Sequence, residues 1–433
     1  MATAPKSVNI RTYQVGFGDC FLLSFNYGPA KEKHVLIDFG STGLPPDAPK
    51  SRMMDIALDI KKRTGGKLAA VVATHRHKDH ISGFETKPGG KGTGDIIKGL
   101  KPDLVLQPWT EAPDLRPTAT GSKAFKLGDS SRRHISGLSA MQSVALHTIA
   151  QSKRARYFSR TLKEQLSFLG ENNLSNLSAV KNLMSMAKNN YVYAGSASGL
   201  GQLLPGVKVE VLGPPTVEQT DTIKKQRSKD PDEFWHFQAN AMRFVEPGKN
   251  GKKAQSPALF PKHVRSNGPV FPIDARWLVY HARVMQGDQL LQIVRMLDKA
   301  MNNTSVILLL EAGKKMLLFP GDAQIENWQY ALDKQKITSR LSSVNLYKVG
   351  HHGSLNATPK TLWGLFKNRS KNKTARNRLL SLMSTMEHKH GSEDSNTEVP
   401  RRTLVGALER ESKLLSTQSL VGKDFYEDTV VTF

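Results

Sequence analysis

The first 40 residues alternate between apolar and polar positions, with the two-residue period of a half-buried β-strand. This pattern predicts three strands joined by tight turns, at residues 8–14, 20–25 and 34–39, in the order of an antiparallel meander. Helical spacing follows over residues 53–63, and the continuous apolar run 68–73 is typical of a buried strand. The N-terminal part therefore predicts the start of a layered α/β fold.

The alternation of predicted strands and helices continues to residue 107 and stops in the region 111–196. A helix near 95–100 and a strand at 104–107 continue it, whereas residues 111–196 are basic, rich in Ser, Thr and Gly, and predict no strand. Helical spacing within that region falls at 140–149, 156–169 and 177–187. A strand at 207–212 precedes a second polar, irregular region at 216–270. We interpret 111–196 as a mostly helical insertion.

The last third of the chain returns to short strands and helices, after a long amphipathic helix predicted at 276–301. The later predicted elements are strands at 305–310, 315–319, 344–349 and 379–383 and helices at 323–332, 360–366 and 402–410. The chain is thus divided into the first half of the core fold at 1–110, a basic helical insertion at 111–196, a strand with an irregular insertion at 197–270, and the second half of the core fold at 271–433.

Composition places the chain among globular proteins. Hydrophobic residues make up 38% of the 433 residues, which excludes a disordered or collagen-like chain. One cysteine, Cys20, excludes an internal disulfide framework and a cysteine-based zinc cluster. The N-terminus has no apolar signal region and no apolar run approaches about 18 residues, so we expect a cytoplasmic protein without a transmembrane segment.

The segment after the apolar run 68–73 carries the strongest chemical signal. It reads Thr74-His75-Arg76-His77-Lys78-Asp79-His80, an H-x-H-x-D-H cluster. Imidazole and carboxylate groups are ligands that hold Zn²⁺, and four of them at the end of one strand can all face one cavity. The cluster therefore predicts a metal site, and two ions suit it better than one.

This cluster resembles the signature of the metallo-β-lactamase-fold hydrolases, and further motifs follow in that family's order. They are Asp38 in Leu36-Ile37-Asp38-Phe39-Gly40, Asp322 after Gly321, and His351-His352-Gly353-Ser354. Val15-Gly16-Phe17-Gly18-Asp19 and Asn303-Thr304-Ser305 add a likeness to the soluble metallo-β-lactamase domain of bacterial DNA-uptake (competence) proteins. The resemblance covers residues 8–110 and 275–433 and implies a four-layer αββα sandwich of the metallo-β-lactamase fold.

The resemblance also implies a role for each motif residue. The implied ligands of one zinc ion are His75 and His77, those of a second are Asp79, His80 and His352, and Asp322 lies between the ions. Asp38 would orient a histidine ligand, and Asp79 would also accept the proton of the attacking water. His352 is preferred to His351 because the ligand of related nucleases directly precedes Gly. Zinc is expected, with manganese or iron as alternatives.

One position departs from the family's pattern. Many dinuclear members carry a further histidine between the first cluster and the bridging aspartate, where this chain has Asn302 and Asn303. The first ion would then have fewer protein ligands, and a single-metal enzyme is an alternative to a dinuclear one. Additional candidate ligands are His351, Asn303 and His390, the last within the segment that takes the place of the subgroup's final Gly-His-Pro motif.

The distribution of positive charge along the chain indicates which substrates the protein could bind. The chain carries 62 Lys and Arg against 38 Asp and Glu, a net charge of +24. Residues 120–165 hold nine cations against two acids, and residues 360–378 hold seven cations and no acid. Because the second run begins soon after the His-His-Gly-Ser motif, chain connectivity predicts that it reaches the metal site. The residues predicted to bind substrate there are Lys367, Arg369, Lys371, Lys373 and Arg376.

Together these features predict a zinc-dependent hydrolase, a phosphodiesterase or nuclease that acts on nucleic acid or nucleotides through a metal-activated water. A metal-dependent hydrolase of another anionic small molecule is one alternative. A non-catalytic binding or regulatory subunit with a degenerate metal site is another, because of the missing histidine. The insertion 111–196 is a candidate surface for a protein partner.

Overall fold

The structure, a computed structural model, describes residues 4–113, 158–172, 176–216, 218–220, 301–354, 358–389, 398–420 and 424–433, with the single residues 150, 291 and 422. The helix predicted at 140–149, nearly all of that at 276–301, residues 221–270 and His390 lie outside these residues.

The described residues form thirteen strands: β1 Ser7–Tyr13, β2 Cys20–Asn26, β3 Glu32–Phe39, β4 Ala70–Val72, β5 Leu104–Pro108, β6 Lys188–Val192, β7 Val207–Gly213, β8 Ile307–Ala312, β9 Lys315–Phe319, β10 Leu346–Lys348, β11 Leu380–Met383, β12 Lys413–Ser416 and β13 Tyr426–Thr432. Their α-helices are α1 Arg52–Arg63, α2 Lys78–Ile81, α3 Thr93–Gly99, α4 Arg160–Asn172, α5 Leu177–Ser185, α6 Leu200–Leu203, α7 Ile325–Leu332, α8 Gln335–Leu341, α9 Lys360–Leu365 and α10 Arg402–Glu411. Within the described part of the chain, none of these helices is long and apolar enough to cross a membrane.

Seven strands form one sheet, in the order β13-β1-β2-β3-β4-β5-β6. β13, β1, β2 and β3 are antiparallel neighbours, and β3 to β6 run parallel to one another. The antiparallel meander predicted at the start of the chain is therefore confirmed. Its apolar residues recur at every second position because those side chains, such as Val8, Ile10, Phe21 and Leu23, point to the same buried face.

The other six strands form a second sheet, in the order β12-β11-β10-β9-β8-β7. β7, β8 and β9 are antiparallel, and β9 to β12 run parallel to one another. The hairpin predicted from the runs 305–310 and 315–319 is present as β8 and β9. The change from antiparallel to parallel pairing occurs at β9, so β9, β10 and β11 all end at the same edge of this sheet.

Buried apolar side chains show how the sheets and helices stack. One core lies between the two sheets, where the rings of Phe21 on β2 and Phe319 on β9 meet edge to face with centroids 6.1 Å apart. Helices α1, α3 and α5 cover the other face of the first sheet, and α7, α9 and α10 cover the other face of the second. The molecule is thus a mixed α/β structure with two sheets face to face between helices, which confirms the predicted α/β class.

The prediction that residues 111–196 contain no strand is wrong, because β6 lies within them and extends the first sheet parallel to β5. Its sequence is mostly polar and only Val192 is buried, so no apolar run marks it. The side chain of Gln107 on β5 instead donates a hydrogen bond to Asn189 on β6, at 2.7 Å. Helix α8 has no predicted counterpart for a similar reason, since Leu341 is its one buried residue.

Candidate metal centre

Four buried side chains converge at the edge where the parallel strands end. Asp79 and His80 lie on α2, Asp322 follows β9, and His352 follows β10. One ligand atom of each side chain lies within 4.8 Å of those of the other three, and all four residues are buried. The group contains four of the six metal ligands that the sequence predicts.

The distances within this group suit a metal ion. Nε2 of His352 lies 2.9 Å from Asp79 Oδ2 and 3.6 Å from Asp322 Oδ2. Nε2 of His80 lies 3.0 Å from Asp322 Oδ2 and 4.0 Å from Asp79 Oδ2. Ligands about 2.1 Å from a tetrahedral zinc ion are about 3.4 Å from one another, so these separations bracket the required spacing.

Buried polar atoms without hydrogen-bond partners in the group also favour metal binding. Asp79 Oδ1, His80 Nε2 and Asp322 Oδ2 are buried and make no hydrogen bond of good geometry. Buried polar atoms are nearly always paired, and one cation would satisfy both His80 Nε2 and Asp322 Oδ2, which lie 3.0 Å apart. The residues present therefore fit a divalent metal ion.

Hydrogen bonds fix which nitrogen of each histidine faces the group. Nδ1 of His80 donates to Asp38 Oδ2 at 2.8 Å, and Nδ1 of His352 donates to the backbone carbonyl of Ser384 at 3.0 Å. Each ring therefore presents Nε2 to the cluster. An oxygen acceptor on one ring nitrogen is the usual partner of a histidine whose other nitrogen binds metal.

Asp38 anchors the first of these rings. It is buried at the end of β3, and it accepts hydrogen bonds from the backbone N–H and the hydroxyl of Thr74, both at 2.7 Å, as well as from His80. Its φ of 54° is uncommon for a residue other than glycine and marks a conformation held by surrounding contacts. This is the geometry of a residue that orients a histidine, the role predicted for Asp38.

His75 and His77 lie beside the four-residue group. Both are buried, Nε2 of His75 lies 2.9 Å from Nδ1 of His77, and the ring centroids of His75 and His80 are 4.1 Å apart. Burial, reinforced by the imidazoles of His80 and His77, holds the pKa of His75 well below its ordinary value. Burial also lowers the pKa of His77 to about 4. Both rings are therefore neutral at pH 7, as metal ligands must be.

Carboxylates shift the pKa values of the remaining two rings in the opposite direction. Burial disfavours the charged form of His80, but the carboxylates of Asp322, Asp38 and Asp79 outweigh it and raise the pKa of His80 well above its ordinary value. The same opposition, with Asp322 and Asp79 the main carboxylates, raises the pKa of His352. The same carboxylates would stabilise a bound metal cation.

His352 enters the group, whereas His351 lies at its rim. The ring of His352 is fully buried, but His351 is half-buried and its Nδ1 forms a hydrogen bond with the hydroxyl of Ser354 at 2.8 Å. The backbone N–H of His351 donates to Asp322 Oδ1 at 3.0 Å. The buried four-residue group therefore includes His352 and not His351, and the role of His352 as a ligand stays a prediction.

Two charged residues without a predicted role also lie in this cluster. Asp19 and Lys348 are fully buried and form an ion pair with each other, and Nζ of Lys348 lies 3.4 Å from Asp322 Oδ1. Burial disfavours the ammonium form, but the carboxylates of Asp19 and Asp322 raise the pKa of Lys348 above its ordinary value. A single cation inside the apolar run 344–349 is the sequence signal that marks Lys348 as unusual.

The other candidate ligands have different surroundings. The side chain of Asn303 is buried and donates to Glu326 Oε2, near the start of α7, at 3.2 Å. His390 lies outside the described residues. The role of Asn303 as a ligand stays a prediction.

The basic run predicted to bind substrate lies at the opposite edge of the second sheet. The backbone N–H of Lys367 donates to Ser342 and the side chain of Asn368 donates to Val344. Both acceptors precede β10, whereas His352 follows it, and the three residues of β10 alone span about 10 Å at about 3.3 Å per residue. The connectivity argument therefore does not bring the backbone of this run to the metal centre, because β11 begins beside the run and only the far end of β11 reaches the centre. That Lys367, Arg369, Lys371, Lys373 and Arg376 bind substrate stays a prediction.

No protein-family model matches the chain, and no curated protein matches its sequence. What characterises the protein is its architecture of two facing mixed sheets and the buried group of histidines and aspartates at their edge.

Proposed function

We propose that the protein is a metal-dependent hydrolase of the metallo-β-lactamase superfamily. The observation that carries this proposal is the buried group of Asp79, His80, Asp322 and His352, where strands from two facing sheets end. The order of the motifs along the chain and the stacking of helices, sheet, sheet and helices support it. Zinc is the proposed metal because imidazole and carboxylate donors at this spacing suit a tetrahedral ion, with manganese and iron as alternatives.

Each residue has its own role in this proposal. The proposed ligands of one cation are Asp79, His80, Asp322 and His352, and those of a second cation are His75 and His77. Bound cations would lower the pKa of a water molecule towards about 7 and neutralise charge that develops on the substrate. Asp38 would keep Nε2 of His80 directed at its cation, and Asp79 would accept the proton of the attacking water. The candidate atom for this proton is Oδ1 of Asp79, which makes no hydrogen bond of good geometry.

The proposed substrate is a phosphodiester in a nucleic acid or a nucleotide. The net charge of +24 supports an anionic substrate, because long-range attraction raises the rate of encounter with a polyanion. A smaller anionic molecule is the second candidate. It is favoured by the position of the basic run, which lies across β10 from the metal centre and does not form the walls of the site.

The first test of this function removes one carboxylate. Zinc-loaded wild-type protein should hydrolyse bis-p-nitrophenyl phosphate, and Asp322→Asn should lower the rate about 100-fold or more, because Asp322 approaches both His80 and His352. Asp103→Asn is the matched control, since Asp103 is half exposed and pairs with Lys67 at the surface. An Asp322→Asn protein as active as this control would contradict the proposal.

Metal content and a substrate panel separate the alternatives. Two equivalents of zinc by elemental analysis would support a dinuclear centre, and one equivalent a mononuclear one. The panel comprises single-stranded and double-stranded DNA, RNA, cyclic dinucleotides and small carboxylic esters. Zinc binding with cleavage of esters alone would overturn the phosphodiester assignment, and loss of zinc on mild dialysis would favour a non-catalytic binding subunit.

A further inference from the structure

Lys348 is unusual because its ammonium group is enclosed within the metal centre. Lys348 is 2% exposed and Asp19 is 0% exposed, on a strand and a loop that come from opposite ends of the chain. A lysine ammonium has three hydrogens to donate, and Nζ of Lys348 has three acceptors nearby: Asp19 Oδ2, the carbonyl of Gly321 at 3.2 Å and Asp322 Oδ1 at 3.4 Å. Its buried charge is therefore paired with the carboxylate of Asp19 and has two further oxygen acceptors nearby.

These contacts divide the two oxygens of Asp322 between different tasks. Oδ1 faces Lys348 and accepts the backbone N–H of His351 at 3.0 Å. Oδ2 faces Nε2 of His80 and Nε2 of His352 and makes no hydrogen bond of good geometry. One oxygen is thus held by protein donors, and the other remains for a cation.

Asp19 holds Lys348 in place and is itself fixed by its backbone. Its N–H donates to the carbonyl of Asp79 at 3.0 Å, and its carbonyl accepts the N–H of Gly40 at 3.1 Å. Asp19, Asp38 and His80 also form a second group whose ligand atoms lie within 4.8 Å of one another. Lys348 supplies a positive charge beside Asp19, so this second group already has a resident cation.

We propose that Lys348, anchored by Asp19, is a positioning residue that holds Oδ1 of Asp322 and so keeps Oδ2 directed at the metal. This inference rests on the proposed metal-dependent function. In this inference the Lys348–Asp19 pair neither binds the metal nor takes part in the attack of water; it fixes the orientation of the Asp322 carboxylate.

The test compares zinc affinity in three variants. Lys348→Met removes the charge and the donors, Asp19→Asn removes the anchor, and the double variant removes both. Competition with a chromophoric chelator on metal-stripped protein measures the zinc dissociation constant, and thermal unfolding of the same samples reports whether each variant is folded. We expect each single variant to weaken zinc binding about tenfold or more. The double variant should bind zinc no more weakly than the single variant with the lower zinc affinity, because both residues act through Asp322.

The direction in which zinc affinity changes in Lys348→Met decides the test. If Lys348 acted only through its charge, its removal would make the centre more negative and tighten zinc binding, so unchanged or tighter binding in Lys348→Met overturns the inference. Asp19→Asn alone removes a negative charge, which would also weaken zinc binding, so the double variant decides the question if Lys348→Met does not fold. It removes one charge of each sign and leaves the net charge of the centre unchanged, and wild-type affinity in the double variant overturns the inference. Lys67→Met, at an exposed ion pair, is the control and should bind zinc as the wild type does.

The two proposals fail in different ways. A wild-type protein that binds no zinc overturns the proposed function and this inference with it. A wild-type protein that binds zinc, with Lys348→Met and Asp19→Asn equal to it in affinity, overturns the inference alone.

Discussion

At the scale of single residues, Asp38 shows how one buried carboxylate sets the state of a neighbouring ring. It accepts three hydrogen bonds, two from Thr74 and one from Nδ1 of His80. An asparagine has one acceptor oxygen and one donor NH₂ group, so Asp38→Asn would turn a donor towards Thr74 or His80. A donor facing Nδ1 favours the opposite tautomer of His80, in which the proton occupies Nε2, the atom that a metal needs.

We therefore expect Asp38→Asn to weaken zinc binding about 10-fold to 100-fold, measured by chelator competition on folded protein. Asp103→Asn makes the same chemical change at a half-exposed surface pair and should bind zinc with wild-type affinity. Equal affinities for the two variants would show that Asp38 does not orient His80.

At the scale of elements, a close backbone contact determines where α2 stands. A Cβ atom added to Gly40, just after β3, would lie 2.5 Å from the carbonyl carbon of Asp79 and from the amide nitrogen of His80. These backbone atoms cannot yield without moving α2, the helix that carries Asp79 and His80. The glycine is thus required by the approach of the loop to α2.

Gly40→Ala should lower the free energy of unfolding by about 1–3 kcal/mol and weaken zinc binding, because α2 must shift to relieve the overlap. Urea unfolding of metal-stripped protein and chelator competition measure the two effects. Gly364→Ala on α9 is the control, because its Cβ would meet open space. This control should be neutral or more stable by up to about 1 kcal/mol. A Gly40→Ala protein as stable as the control would refute the steric account.

At the scale of the whole molecule, the basic run and the metal centre occupy opposite edges of one sheet. Lys371, Lys373 and Arg376 are exposed and have no ion pair among the described residues. Replacing all three with Glu should therefore lower the salt concentration at which the protein elutes from immobilised DNA. The rate of bis-p-nitrophenyl phosphate hydrolysis should stay unchanged, since this small substrate does not reach across the sheet.

An equal change of charge elsewhere provides the comparison. Lys61, Lys62 and Lys91 are exposed residues of the first half of the fold, and replacing them with Glu alters the net charge by the same amount. A smaller loss of retention for this variant would support local binding by the basic run. Equal losses would mean that retention follows net charge alone and would count against a binding surface there.

Periodicity explains which elements could be predicted. Strands β1 to β4 and β8 have apolar residues at the spacing of a buried face, and their positions follow from the sequence to within a few residues. β6 and α8 bury one residue each, so backbone pairing and tertiary contacts form them without a sequence pattern. The part of the buried group that comes from residues 75–80 was predictable, because histidine and aspartate are concentrated in this short segment at a strand end.

The sequence by itself determined the ligand chemistry, the order of the motifs and the alternation of strands and helices, because all of these are local properties of the chain. Only the tertiary structure decided that His352 and not His351 enters the group, that Nε2 of His80 faces it, and that Lys348 pairs with Asp19. It also placed the basic run away from the centre. Each of these outcomes depends on the direction and register of strands that are distant in sequence, which local pattern does not encode.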